Sequence, residues 1–173
     1  MKQELYAAIT AWSALAAVGA ALTAVWLQNR SSRRLACLQL FAHLARQYES
    51  PQMQGLRRRL ATQLMSEPRT VELDDTLFVF YENLGVLTRR GLLDPELIWN
   101  IFVFDVVHYW VATKHYVRHM RDVSGDESIY EEFERLAERL SYQRHSPLGR
   151  LRPESVTSAQ LLAFLQMESR RGT

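Results

Sequence analysis

The sequence predicts an all-α protein: one N-terminal transmembrane helix followed by a compact bundle of about five to six helices. Three observations predict it. The run from Leu5 to Leu27 carries no charge. After it, apolar residues recur at three- and four-residue spacing. No stretch shows the two-residue alternation, bounded by turns, that a half-buried strand needs.

Size and composition narrow the functional classes. The chain has 173 residues, 47% of them hydrophobic and 23% charged, enough for one compact domain and too few for a large multidomain enzyme. With 7 Gly and 5 Pro it is neither collagenous nor low-complexity. One cysteine, Cys37, excludes a disulfide scaffold and reads as a small buried hydrophobe. The net charge of +2 is too mild to argue for a nucleic-acid partner, and Arg57-Arg58-Arg59 lacks the interleaved aromatics of a nucleic-acid surface.

The uncharged run is long enough to cross the roughly 30 Å hydrocarbon core of a bilayer. Tyr6 and Trp26 stand near its ends, where amphipathic rings favour the headgroup level. Arg30, Arg33 and Arg34 follow it, whereas only Lys2, Glu4 and the α-amino group precede it. The positive-inside rule therefore places the N-terminus outside and the rest in the cytoplasm. A cleaved signal peptide would have a shorter apolar stretch, about 7 to 15 residues, with the positive charge before it. The expected division is a membrane anchor over 1–28 and a cytoplasmic helical domain over 29–173. Within the run, Ala16, Gly19, Ala20 and Thr23 share one face, and such small residues let two helices approach closely in lipid.

Beyond the run, Leu35, Leu38, Phe41, Ala45 and Tyr48 form a stripe with no Pro or Gly between Ala20 and Ser50, so the first helix can continue past the membrane; Asn29, Ser31 and Ser32 mark its expected break. Ser50-Pro51 opens a second helix that runs to about Met65. A third spans about Asp74 to Arg90, with Leu77, Phe80, Leu84 and Leu87 on one face, and stops at Gly91. Asp94-Pro95-Glu96 opens a fourth, to about Asp122, whose half from Leu97 to Ala112 is apolar almost all round and reads as the covered centre of the domain. Asn100, Asp105, His108 and Lys114 argue against a second membrane span there. A fifth helix is expected from about Asp126 to Gln143, with Glu131 and Arg135 pairing across a turn. After the loop Ser146-Pro147-Leu148-Gly149, Thr157 and Gln160 form a capping box for a last helix to about Arg170 carrying Leu161, Leu162, Phe164 and Leu165.

Three clusters invite a functional reading. Asp105, His108, His115, His119 and Asp122 fall on about one third of the fourth helix's circumference, and His108, His115 and His119 are the metal candidates. The competing expectation makes Asp105 and His108 satisfied polar groups of the core and leaves His115 and His119 half-exposed. Between Arg30 and Arg59 lie seven arginines and one acid, Glu49; Arg30, Arg33, Arg34, Arg57, Arg58 and Arg59 are candidates for contact with anionic lipid headgroups. The aromatic residues of the fourth helix are mostly core, with Trp99, Trp110 and Tyr116 as a candidate partner surface.

Tyr81-Glu82-Asn83-Leu84-Gly85-Val86-Leu87, then Arg89-Arg90-Gly91-Leu92-Leu93-Asp94 and Tyr109-Trp110, resemble the pattern of a bacterial domain-of-unknown-function family, family 4760. The resemblance implies a membrane helix, an arginine-rich exit, a helical domain and a bacterial origin, and it assigns no catalytic residue. Gly85 would permit close helix approach, and Gly91 with Asp94-Pro95 would turn the chain between helices three and four. No glycine-rich phosphate loop, Gly-x-Ser-x-Gly elbow, His-Glu-x-x-His or Cys-x-x-Cys is present, so neither enzymatic activity nor a cofactor is expected. The expected role is that of a non-catalytic inner-membrane protein whose cytoplasmic domain binds another protein, as an accessory or assembly subunit. The alternative is an effector that self-associates through the small-residue stripe and perturbs the bilayer. The expected partners are membrane lipid and either a protein or further copies of the chain.

Overall fold

The computed structural model describes residues 2–67, 72–141 and 152–171, with side chains described at residue 19 and from residue 21 onward. Six α-helices and one 3-10 turn make up the described residues, with no strand among them. The chain divides into two units, Met1–Leu40 and Phe41–Thr173.

Helix α1, Lys2–Tyr48, runs without interruption. The break expected at Asn29, Ser31 and Ser32 does not occur. Ser31 Oγ donates to Gln28 O at 2.9 Å, so its hydroxyl bonds within the helix rather than ending it. Among the described residues no helix is long and apolar enough to cross a membrane. Much of the run from Leu5 to Leu27 lies outside the described side chains.

In the second unit the starts of the helices at Pro51, Pro95 and Ser158 and the end of the helix at Arg89 carry the chemistry that the sequence marks there. Ser50 Oγ accepts from Met53 N and Pro51 takes the first position of α2, Pro51–Ser66. Helix α3, Thr76–Arg89, ends where Gly91 adopts φ +68°; Leu92 N then reaches Leu87 O at 3.0 Å and Gly91 N reaches Thr88 O at 3.1 Å, satisfying two carbonyls the last turn would leave open. Asp94 accepts from Glu96 N at 2.9 Å to open α4, Pro95–Ser124. Thr157 and Gln160 form the reciprocal capping box of α6, Ser158–Ser169, preceded by the 3-10 turn Pro153–Ser155.

Helix α5 departs from expectation. It spans Glu131–Ser141, starting later than Asp126; the expected end at Gln143 and the loop from Ser146 to Gly149 lie outside the described residues. Asp126 Oδ1 accepts from Ser128 N and Oγ at 2.9 and 2.7 Å, a local turn that competes with helix. Tyr130 then takes φ +53°, which a helix cannot contain. The first turn of α5 is capped from a distance instead: the Glu82 carboxylate on α3 accepts from Phe133 N at 2.8 Å and from Glu132 N at 3.3 Å.

The 30-residue α4 lies at the centre of the second unit, with Ile98, Phe102, Val106, Val107, Tyr109 and Val117 fully covered. Helix α3 packs on α5, α2 on α6, and α4 on α5 and α6. The close approach of α3 and α5 requires Gly85, where a Cβ would fall 2.4 Å from Glu132 O. Tyr81 and Phe133 stack across the same interface with ring centroids 4.9 Å apart. Each large aromatic buried this way contributes about 1.5–3 kcal/mol.

Candidate functional site

Two charged residues occupy core positions of their helices. On α2, Met53, Leu56, Leu60, Ala61 and Leu64 line the buried face, and Arg57 stands in that stripe with its side chain wholly covered. On α6, Phe164 and Leu165 are buried, and Glu168 takes the next place on that face, also wholly covered. The two side chains meet: Arg57 Nε donates to Glu168 Oε2 at 2.7 Å and Nη2 to Oε1 at 2.9 Å. A planar guanidinium and a carboxylate fit in this two-bond manner, which offsets part of the cost of taking both charges out of water.

Around this pair lies a buried polar network. Tyr109 OH donates to Glu168 Oε2 at 2.8 Å, and Arg171 Nε lies 2.5 Å from Glu168 Oε1. Arg57 Nη2 reaches Asp105 Oδ2 at 3.3 Å, and the guanidinium sits over the Tyr48 ring, 4.0 Å from its centroid. Tyr48 OH donates to Asp105 Oδ2 at 2.7 Å; its one proton is thus committed, so Tyr81 OH donates to Tyr48 across their 2.7 Å contact. Arg57 Nη1 has no hydrogen-bond partner among the described residues and lies 3.9 Å from Glu49 Oε1.

Burial sets the proton affinities. It pushes the phenols of Tyr48, Tyr81 and Tyr109 well above the ordinary tyrosine value, so all three remain donors. Burial raises Asp105 despite the opposing charge of Arg57 and the Tyr48 hydrogen bond. For Arg57 burial alone would lower the value, but Tyr48, Glu168, Tyr81 and Asp105 together hold it above that of a free guanidinium. The network holds a fixed cation between two carboxylates.

The structure separates the basic residues grouped in the sequence. Arg30, Arg33, Arg34 and Arg59 are exposed and Arg58 is half-buried. Arg57 is not a surface residue: its neighbours in the α2 stripe face inward, and Glu168 and Asp105 meet it there. The candidate partner surface is likewise corrected. Trp110 packs edge-on against Phe133, and Tyr116 lies against Phe78, both buried, while Trp99 is half-buried. Of the small-residue stripe, Gly19 and Thr23 are exposed, Thr23 Oγ1 donating to Gly19 O, and the side chains of Ala16 and Ala20 lie outside the description.

Among the candidate metal ligands, His108 is buried, with Nδ1 2.7 Å from Phe104 O and its ring stacked on Phe164. His115 is half-buried and His119 exposed. Asp105 and His108 are thus satisfied core groups, and among the described residues no three His, Cys, Asp or Glu side chains are grouped to hold a metal ion. Apolar surface is left in water on α4 and α6, where Phe104, His108, Gln160, Ala163, Phe164 and Met167 line a shallow groove and Phe104 and Met167 remain 45% and 43% exposed.

Sequence reasoning missed Glu168 and misplaced Arg57. The signal was present in both: each is a charge in the register of an apolar stripe, on helices whose remaining inward residues are hydrophobic.

The fold and this network define a helical protein whose second unit is built around a buried arginine and its carboxylates. The chain belongs to the DUF4760 family, a domain of unknown function, whose family model matches residues 11–140. Neither a curated protein nor a solved structure matches it. The matched stretch contains Tyr48, Arg57, Tyr81, Asp105 and Tyr109 and stops before α6 and Glu168.

Proposed function

We propose that this chain is a non-catalytic, single-pass protein of a bacterial inner membrane whose helical unit binds another protein at the cytoplasmic face. The observation that carries the reading is the uncharged run from Leu5 to Leu27, followed by Arg30, Arg33 and Arg34. The helical course of α1 through that run supports it, since a helix satisfies its own backbone groups in lipid. The apolar groove of α4 and α6 supports a protein partner. Arg57, Glu168, Asp105, Tyr48 and Tyr109 bind one another across α1, α2, α4 and α6, an arrangement suited to holding helices together rather than to turning over a substrate.

Alkaline carbonate washing of native membranes tests the anchor. The chain is expected to stay with the lipid, and a variant with Leu15→Arg and Val18→Arg to be released, because each arginine near the bilayer centre costs about 2.5–3.5 kcal/mol. Release of the unaltered chain would remove the membrane assignment.

A further inference from the structure

We propose that the protein partner presents an amphipathic helix, apolar along one face and acidic at one end, which lies lengthwise along the outer side of α4 and against α6, with α6 in place. The proposal rests on the protein-binding reading above and names the chemistry of that partner.

The receiving surface is a row in helical register. Ile101, Phe104, His108, Val111, His115 and Arg118 follow one another on α4 at alternating steps of three and four residues, the spacing that keeps side chains on one face and lets a second helix seat its own between them. Ile101 is 56% exposed, and Val111 and His115 are half-buried. Beside this row α6 presents Gln160, Ala163 and Met167, again three and four residues apart, and Phe104, His108, Ala163 and Met167 line the same groove. A groove between two such rows fits the side chains of a helix rather than the flat surface of a bilayer. Met167 suits the contact, because its flexible thioether adapts to the side chain it meets.

The charges around the rows select the partner. Over residues 97–120 the only acid of α4 is Asp105, and the only acid of α6 is Glu168; both are buried and held by Arg57. The exposed side of α6 carries Ala159, Leu162, Gln166 and their neighbours with no charge among them, as the core of an interface requires. The α4 row ends in the exposed Arg118, two heptads beyond Phe104 or about 21 Å along the helix. An incoming helix that seats apolar side chains at Ile101 and Phe104 brings its far end to Arg118, where a carboxylate is favoured and a second cation repelled. Copies of this chain do not offer such a helix. The acidic α5 buries its apolar residues Phe133, Leu136 and Leu140, and the exposed Leu35 and Leu38 of α1 stand beside Arg33 and Arg34.

The full chain in phosphatidylcholine nanodiscs tests the proposal with two fluorescent peptides. Each is a helix about five turns long with leucine at heptad spacing and alanine and glutamine elsewhere, one ending in glutamates and the other in lysines. The glutamate peptide should bind saturably and about tenfold or more tightly than the lysine peptide. Arg118→Glu should reverse that preference, and Ala163→Glu, which places a carboxylate in the groove, should weaken the glutamate peptide by about tenfold or more. Both positions are exposed, so an unchanged thermal unfolding curve shows that the variants keep the fold. Absence of binding, equal binding of the two peptides to the unaltered chain, or binding that neither substitution changes overturns the proposal. Binding in detergent micelles that disappears in nanodiscs assigns the face to the bilayer, and a concentration-dependent dimer dispersed by the glutamate peptide assigns it to a second copy; each overturns the choice of a foreign helix. A stoichiometric second protein extracted from native membranes, together with no peptide binding, would remove this chemistry and leave the protein-binding reading standing.

Discussion

The Glu168 carboxylate on α6 grips Arg57 on α2 with both oxygens, at 2.7 and 2.9 Å, where neither side chain is exposed to solvent. Removing one member of a buried ion pair strands the other. Arg57→Met leaves Asp105 and Glu168 without their shared cation and should cost about 3–5 kcal/mol. Glu168→Gln should cost less, because Asp105 still faces the guanidinium. Arg59→Ala, two residues along but exposed, should stay within about 0.5 kcal/mol. Urea unfolding of the three variants checks the order.

Glu82 and Gly85 act on the same turn of α5, one by accepting from Phe133 N and Glu132 N, the other by leaving room for Glu132 O. Glu82→Ala should cost about 0.5–2 kcal/mol as a lost cap, and Gly85→Ala about 1–3 kcal/mol as overpacking against backbone. Because both displace the start of α5, the double variant should lose less than the sum of the two, measurable as a coupling energy in a double-mutant cycle.

Glycine costs differ by site. Gly91 has φ +68° with open space around it, so Gly91→Ala meets backbone strain and should cost about 1–2 kcal/mol. Gly55 lies inside α2 with its nearest obstacle the flexible end of Arg59 at 3.7 Å, so Gly55→Ala should stabilise by about 0.5–1 kcal/mol. Thermal unfolding should move in opposite directions for the two.

Burial depresses His108 below its ordinary value of 6.5, against the Phe104 carbonyl and Asp105, which favour the proton. The folded state therefore binds the proton less readily than the unfolded chain. The contribution of neutral His108 is fully present above pH 6.5 and is lost as pH falls through the depressed value. His108→Phe, which keeps a ring against Phe164, should show a shallower loss of stability on acidification below pH 6.5 than the unaltered chain. Equal slopes for the two chains would place the acid sensitivity elsewhere.

Much of this architecture was legible in the sequence because helix ends carry local chemistry. Ser50-Pro51, Asp94-Pro95, Thr157 with Gln160, and Gly91 each sit where a helix starts or stops. The start of α5 was not legible, since its cap comes from Glu82, about fifty residues earlier in the chain, and Tyr130 adopts a conformation its residue type does not announce. The buried network was half legible. Asp105 and His108 read as core groups from the apolar surroundings of α4, but Arg57 was drawn into a surface cluster by its neighbours Arg58 and Arg59. Its register with Met53, Leu60 and Leu64 was the better guide, since position on a helix face outweighs proximity in sequence.

The central claim is that the helical unit serves a protein partner at a membrane, and the measurement that tests it most directly is the mass of the chain after gentle detergent extraction from native membranes, with mass spectrometry of what accompanies it. The account predicts a complex holding a stoichiometric second protein. A pure assembly of copies of this chain would contradict it and direct attention to Ala16, Gly19, Ala20 and Thr23 as a self-association face.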